Sequence, residues 1–322
     1  MRAPSILIVH PDRKTQRTVQ RILGVMGYRI DVVDDLDAGI RSIADLRPVL
    51  VVFDGASVDG ERSRELVATA TANGAEACLA LLTGPQLAEV PRILGLGAVT
   101  NLLVHPLPVL AEALTITTQK LIQRDLFDVE KYLLWGTTLY QTVLTRSSQR
   151  PPLVAQIGQM LRSRGQSERI ASAGMLVADE LMSNAVHNAP IDAAGVSYRR
   201  DVPRDADFPL DERHQVRFRW GCDARYLAVE VTDPFGSLDR ETIMRSLANS
   251  EIRESGTGAG MGISLAYRSC DHLVFNLAPG KRTQVIALID IRYPPAERPA
   301  HSGSTSSRAI PASSYNIFVE RT

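Results

Sequence analysis

The chain has little of what marks secreted, membrane-spanning or nucleic-acid-binding proteins. Its three cysteines, Cys78, Cys222 and Cys270, show no paired spacing typical of zinc sites or disulfide frameworks. Its longest apolar runs, such as 6–9 and 49–53, are strand-length and too short to span a membrane. Lys and Arg total 36, and so do Asp and Glu, so no net charge attracts nucleic acid or anionic lipid. The N-terminus also lacks the apolar core of a signal peptide, so we expect a cytoplasmic protein that binds neither nucleic acid nor membrane.

The first part of the chain alternates short apolar runs with amphipathic stretches. Five such β/α units predict a doubly wound parallel sheet of five strands over residues 1–119, within an α/β protein of two domains. Sheets of this kind carry functional groups at the carboxyl ends of their strands. The residues that fall there are His10, Asp54, Thr83 and His105.

This arrangement resembles the receiver domain of bacterial response regulators over about residues 3–120. By position, Asp54 matches the phosphorylated Asp, and Thr83 matches the hydroxyl residue that senses the phosphoryl group. Receivers have an acidic pair for Mg²⁺ after the first strand, where this chain has His10 and Pro11, and a Lys where it has His105. Phosphoryl transfer needs the positive charge of the metal, so we expect a degenerate receiver that serves in docking or dimerisation. The two histidines are either hydrogen-bonded neighbours or ligands of another metal or an anion.

Residues 120–150 predict a helical linker between the two domains. Apolar residues recur at alternating spacings of four and three, the seam of a coiled coil: Ile122, Leu126, Val129, Leu133, Gly136, Tyr140 and Val143. A parallel coiled coil would make the protein a homodimer through residues 120–146. The alternative is a helix that packs against its own domain.

A second group of motifs begins in a Pro-free amphipathic stretch, residues 171–189. Glu180, Asn184 and Asn188 recur every four residues there and so share one face of the predicted helix. An Asn oxygen suits Mg²⁺, which prefers oxygen ligands and keeps several waters. A neighbouring carboxylate can deprotonate a water or a substrate hydroxyl.

Three further segments follow in order along the chain. Asp233 ends an apolar run, with Gly236 just after it, and Thr283 lies in a later strand-like run. Between them is a glycine run whose backbone N–H groups could wrap phosphates ahead of a helix predicted at 263–269: Gly256, Gly258, Gly260 and Gly262.

Together these segments resemble the ATP-binding α/β sandwich of gyrase-type topoisomerases, the ninety-kilodalton chaperone, histidine kinases and, most closely, anti-sigma-factor serine kinases. The resemblance covers about residues 151–293. It implies that Asn184 holds Mg²⁺, Glu180 is the general base, and Asp233, supported by Thr283, accepts the adenine amino hydrogen. Two departures stand out: Phe235 occupies the place of a glycine, which comes one residue later as Gly236, and Asn188 stands where relatives often have a basic or aromatic side chain.

The resemblance implies ATP and Mg²⁺ as cofactors and an intracellular signalling role with an unidentified protein partner. One alternative is a protein serine/threonine kinase; the other is a nucleotide-gated protein that sequesters its partner without phosphorylating it. A conventional histidine autokinase is not expected, because no His occurs between residues 106 and 186. Residues 199–214 predict a surface loop and residues 294–322 a disordered tail, with an apolar patch at 315–319 that is either a docking peptide or idle.

Overall fold

The computed structural model describes residues 4–56, 60–83, 99–106, 109–192, 194–199, 201–248, 262–292 and 314–320. The chain divides into two compact units. The first unit comprises residues 1–126 with 314–318, and the second comprises residues 127–313 with 319–322.

The first unit is a receiver-like α/β domain with a doubly wound parallel sheet. Its strands pair in the order β2-β1-β3-β4-β5, all parallel, which is the strand order of flavodoxin-like folds. The predicted five-stranded parallel sheet is therefore confirmed. The elements are β1 (Ser5–Val9), α1 (Arg13–Gly24), β2 (Arg29–Val33), α2 (Leu36–Leu46), β3 (Leu50–Asp54), α3 (Gly60–Ala72), β4 (Ala77–Thr83), β5 (Asn101–His105) and α4 (Ala111–Gln123).

The central strands are apolar because a parallel sheet is covered on both faces. Every residue of β1, β3 and β5 is buried. Short polar side chains set where the first two helices begin: Asp12 caps α1 by accepting from Thr15 N, and Asp35 caps α2 by accepting from Ala38 N. Because β1 and β3 pair in parallel, their carboxyl ends lie at the same edge of the sheet.

A sixth strand, β11 (Ser314–Val319), adds to this sheet from the far end of the chain. It pairs antiparallel with β5, with Tyr315 opposite Val104 and Phe318 opposite Asn101. The prediction of a disordered tail is therefore wrong for residues 314–319, while residues 294–313 lie outside the described ranges. Residues 294–322 are polar on average, but they include a short apolar run at 314–319. This run is buried because it pairs with β5, a strand that is distant in the sequence.

The second unit has an antiparallel sheet with helices packed against it. Its strands pair in the order β9-β10-β8-β7-β6, all antiparallel. Helix α6 contacts α5, α8 and the strands β8 and β10. The elements are β6 (Leu139–Leu144), α5 (Arg150–Ser163), α6 (Glu168–Ser183), β7 (Val216–Cys222), β8 (Tyr226–Asp233), α7 (Arg240–Ala248), α8 (Gly262–Ser269), β9 (His272–Ala278) and β10 (Arg282–Asp290), with a π-helical turn at Asn184–Asn188 and 3₁₀ turns at Val129–Tyr132 and Ser147–Gln149.

The predicted helical linker is wrong beyond Gln123. Helix α4 ends there, because Arg124 adopts the left-handed conformation with φ 54°. Gly136, also in the proposed seam, has φ 85°, which no α-helix accommodates. The seam residues Tyr140 and Val143 lie in β6, as the aromatic and β-branched residues around them favour. Without a helix over residues 120–146 there is no coiled coil, so the structure offers no support for the predicted homodimer through this segment. The second unit begins at residue 127, not at residue 151 as predicted.

A buried polar cluster anchors the start of the second unit to its sheet. Val129 N donates to Glu230 Oε2 and Asp128 N donates to Gln284 Oε1, both at 3.0 Å. Glu230 is fully buried, and burial raises the pKa of its carboxyl, an effect that Arg219 and Arg217 oppose. These contacts hold residues 127–132 against β8 and β10 in place of a continued helix.

Candidate functional site

Helix α6 and the π-helical turn after it place the predicted magnesium face. The Ser167 side chain caps the helix by accepting from Ile170 N, and Glu180 lies in the last turn of the helix, just before the π-helical turn that contains Asn184 and Asn188. Asn188 Nδ2 donates to Asn184 Oδ1 at 2.7 Å. Glu180 is 7% exposed, at the buried end of this polar row.

Gly262, the first residue of α8, lies directly against this row. A Cβ atom on Gly262 would come within 2.7 Å of Glu180 Oε2, 2.9 Å of Asn184 Nδ2 and 3.0 Å of Asn184 Oδ1. Side chains do not approach that closely, so only glycine fits without movement of the two polar groups. The structure therefore brings together the helix motif and the last glycine of the run, 78 to 82 residues apart in sequence. Gly256, Gly258 and Gly260 lie outside the described residues.

The amide of Asn184 is incompletely satisfied in this arrangement. Its Nδ2 atom is buried and has no hydrogen-bond partner among the residues that the structure describes, while Oδ1 accepts from Asn188. Buried polar atoms without partners are rare in proteins and often mark a site where a ligand, ion or water binds. The oxygen and nitrogen of the Asn184 amide are distinguished only by their hydrogen bonds. After a flip of the amide, either atom could therefore contact a ligand.

Asp233 ends β8 as a buried carboxylate beside Thr283. The two residues are opposite each other in the antiparallel ladder of β8 and β10. Asp233 Oδ1 accepts from Phe235 N at 2.9 Å and from Gly236 N at 3.3 Å. Burial raises the pKa of Asp233 to about 6, and the hydrogen bonds from Phe235 N and Gly236 N oppose this rise, as does the nearby Thr283. Among the described residues, the buried Thr283 hydroxyl makes no hydrogen bond of normal geometry.

The turn after Asp233 explains the two residues that depart from the expected motif. Gly236 has φ 60°, and a Cβ there would collide with the carbonyl oxygen of Ala278. Phe235 stacks on the imidazole of His214, with ring centroids 5.3 Å apart. The glycine is therefore required one position later than in the resembled motif, and the loop that carries His214 accommodates the phenyl ring.

A loop of the second unit supplies a positive charge that the sequence motifs did not indicate. Arg204 Nη1 lies 3.3 Å from Glu180 Oε2. Arg150 Nη2 donates to Arg204 O at 3.0 Å, and Arg150 Nε lies 2.8 Å from Asp179 Oδ1. Residues 199 and 201–214 lie in the predicted surface loop, but the contact of Arg204 with Glu180 depends on the fold.

His187 lies close to the same arginine side chains. Its imidazole is buried, and burial lowers its pKa, as do the charges of Arg150, Arg204 and Arg199. His187 packs edge-on against Phe208 of the loop, with ring centroids 5.6 Å apart. Three arginines therefore place positive charge near His187, and the carboxylates of Glu180 and Asp179 pair with two of them.

In the first unit, the candidate residues gather at the carboxyl edge of the sheet, but the acidic pair is replaced. His10 Nε2 lies 3.9 Å from Asp54 Oδ1, and His10 Nδ1 accepts from Asp12 N at 3.0 Å. Burial lowers the pKa of His10, and Asp54 and Asp12 oppose this. The Asp12 carboxylate accepts from Thr15 N and Oγ1, both at 2.7 Å, and these bonds lower its pKa. Asp12 is thus committed to capping α1, and the His10 imidazole, rather than an acidic side chain, faces Asp54.

The other two candidates of this edge lie on neighbouring strands. Thr83 is opposite His105 in the parallel pair of β4 and β5, and His105 Nδ1 lies 2.7 Å from Pro106 O. Across the described ranges, no group of three or more His, Cys, Asp or Glu side chains is arranged to hold a metal ion. Within the same residues, no helix has the length and apolar character needed to cross a membrane.

The chain matches no protein-family profile and no curated protein. Among solved structures, the signal receiver domain of a modulated diguanylate cyclase from Desulfovibrio desulfuricans G20 is 21% identical, over 38% of this chain and 96% of that domain, with a TM-score of 0.32. The response regulator receiver domain protein from Clostridium thermocellum is 16% identical over 38% and 95%, also with a TM-score of 0.32. Full-length FixJ from B. japonicum is 16% identical over 63% and 84%, with a TM-score of 0.31. The receiver-like fold of the first unit rests on its own strand order.

Proposed function

We propose that the second unit binds Mg-ATP and that the protein transmits a signal to a protein partner. The observation that carries this proposal is the close approach of Gly262 to Glu180 and Asn184. A carboxylate, a carboxamide and the glycine that begins a helix then lie together, as a metal-bound phosphate chain requires.

The donor set fits such a ligand. The oxygen of Asn184 is a suitable single protein ligand for Mg²⁺, which usually keeps several waters. Gly262 would face the phosphates, near Asn184 and Glu180. Asp233, buried next to Thr283, would accept the adenine amino hydrogen, and Gly236 allows the tight turn that places it. ATP would supply the phosphoryl group, and Mg²⁺ would neutralise its charge.

Two functions for such a site differ in the role of Glu180. As a kinase of the anti-sigma type, the protein would use Glu180 to accept the proton of a serine or threonine hydroxyl. The ion pair with Arg204 favours the second candidate, a nucleotide-gated protein that sequesters its partner, because the guanidinium occupies a carboxylate oxygen that a substrate hydroxyl would have to reach. In both cases the first unit would serve as a docking module, since His10 occupies the place of a metal-binding acid.

Calorimetry on the full chain tests nucleotide binding directly. We expect ATP to bind in millimolar Mg²⁺, to bind poorly without the metal, and to be favoured over GTP, because guanine presents a carbonyl oxygen to the Asp233 carboxylate. Asp233→Ala should weaken ATP binding by roughly 10- to 150-fold, the range of one charge-assisted hydrogen bond. Absence of ATP binding by the wild type in Mg²⁺ would refute the proposal.

A further inference from the structure

Arg204 is the cationic side chain that the described structure places nearest to Glu180. Its guanidinium lies 3.3 Å from Glu180 Oε2 and is 47% exposed, so it can leave this contact without opening the core. Its backbone is held separately, because Arg150 Nη2 donates to the carbonyl oxygen of Arg204. The loop is thus anchored at Arg204 while the side chain remains free to change partner.

The position of Arg204 relative to the bound nucleotide follows from its ion pair with Glu180. Whether it acts as a base or only lines the site, Glu180 contacts the region of Gly262 and Asn184, where the phosphates and the metal would lie. A carboxylate repels a phosphate chain unless a cation lies close by. Arg204 meets this need, and its planar fork of N–H groups matches the oxygens of a phosphate.

We propose that Arg204 binds the terminal phosphate of ATP, exchanging its ion pair with Glu180 for a contact that ADP cannot make. This inference rests on the proposed nucleotide site. It implies that the loop carrying Arg204 distinguishes ATP from ADP. In the nucleotide-free protein Arg204 neutralises Glu180; in the ATP-bound protein Glu180 is released to face the partner. The depressed pKa of His187 beside this loop is consistent with a positive field at the same place.

The test compares the affinities of a non-hydrolysable ATP analogue and of ADP, both with Mg²⁺, by calorimetry on the full chain. Arg204→Gln should weaken binding of the analogue by about 5- to 20-fold, because the side chain is half exposed, and leave ADP binding nearly unchanged. Arg204→Lys should restore part of the loss, since it keeps the charge and loses the fork. Arg213→Gln, on an exposed position of the same loop, is the matched control and should alter neither affinity.

The outcomes separate this inference from the proposed function. If the wild type binds the analogue and ADP, but Arg204→Gln changes both equally or neither, the role of Arg204 is refuted and the nucleotide site stands. If the wild type binds neither nucleotide, both proposals fall. An unchanged unfolding midpoint of Arg204→Gln confirms that the variant is folded, and the retained affinity for ADP confirms it independently.

Discussion

At the scale of single residues, Asp233 is a buried carboxylate whose ionisation costs stability. Its pKa is raised from 3.8 to about 6, chiefly by burial. The folded state therefore favours the protonated form, and the stability that this preference contributes is present below pH 4 and is lost as the pH rises through about 6. Proteins retain such unfavourable groups where function needs them.

Asp233→Asn should accordingly stabilise the second unit at neutral pH. The shift of the pKa corresponds to about 2 to 3 kcal/mol in the free energy of unfolding at pH 7, less what the altered hydrogen bonds cost. The gain should shrink below pH 6 and be small at pH 4, close to the unfolded-state pKa of 3.8, because well below that value the carboxyl is protonated in both states. Urea unfolding at pH 4, 5.5 and 7 measures it, and a gain that is the same at all three values would contradict the argument.

Asp54 gives the second prediction at this scale. Small phosphodonors such as acetyl phosphate should leave the chain unmodified in Mg²⁺, because His10 faces Asp54 at 3.9 Å and Asp12 is occupied in capping α1. Intact-mass spectrometry checks this. Replacement of His10 and Pro11 together by Asp restores two acidic positions and is the informative comparison. A Mg²⁺-dependent mass increase of the wild type that disappears in Asp54→Ala would show that the receiver is active.

At the scale of elements, β11 completes the first unit from a distant part of the chain. Tyr315, Ile317 and Phe318 are fully buried, and Asn316 Nδ2 donates to Thr117 Oγ1 at 3.1 Å. Lys120 Nζ lies 4.2 Å from the centroid of the Phe318 ring, a cation–π contact. The strand also covers an edge of the parallel sheet that would otherwise present unpaired backbone groups.

Tyr315→Ala should therefore destabilise the first unit selectively. Truncation of a large buried aromatic residue costs about 3 to 5 kcal/mol. Hydrogen exchange gives the local readout: the amides of β5 that face β11 should exchange faster in the variant, and the antiparallel strands β7 and β8 should not. Glu320→Ala, just beyond the strand, is the matched control. Unchanged protection of β5 in Tyr315→Ala would mean that β11 contributes little to the sheet.

At the scale of the whole molecule, Glu180 decides between the two proposed functions. Glu180→Gln removes the base and keeps the shape of the side chain, so a kinase should lose phosphotransfer to a serine or threonine substrate while ATP binding persists. A sequestering protein would show no phosphotransfer in the wild type, and Glu180→Gln would leave its ATP-dependent partner binding intact. Incubation of the full chain with radiolabelled ATP and candidate partners distinguishes the two. Equal phosphotransfer by wild type and variant would exclude Glu180 as the base.

Local patterns sufficed for much of the architecture. The alternation of apolar runs with amphipathic stretches predicted the parallel sheet of the first unit, because strand and helix periods differ. The spacing of four between Glu180, Asn184 and Asn188 predicted a shared face, and the structure links Asn188 to Asn184 by a side-chain hydrogen bond. The same reasoning failed at residues 124–146, where a spacing of four and three also occurs in a turn and a strand. The positive φ of Arg124, Asp128 and Gly136 and the strand β6 exclude the helix.

The sequence by itself determined the five parallel strands of the first unit, the spacing of Glu180, Asn184 and Asn188, and the neutral charge balance, since each depends on residues close together or on composition. Only the tertiary structure decided that β11 joins β5, that Gly262 lies against Glu180 and Asn184, and that Arg204 pairs with Glu180. These contacts join segments far apart in the chain. Their partners are chosen by burial and charge in the folded protein, which a local pattern does not contain.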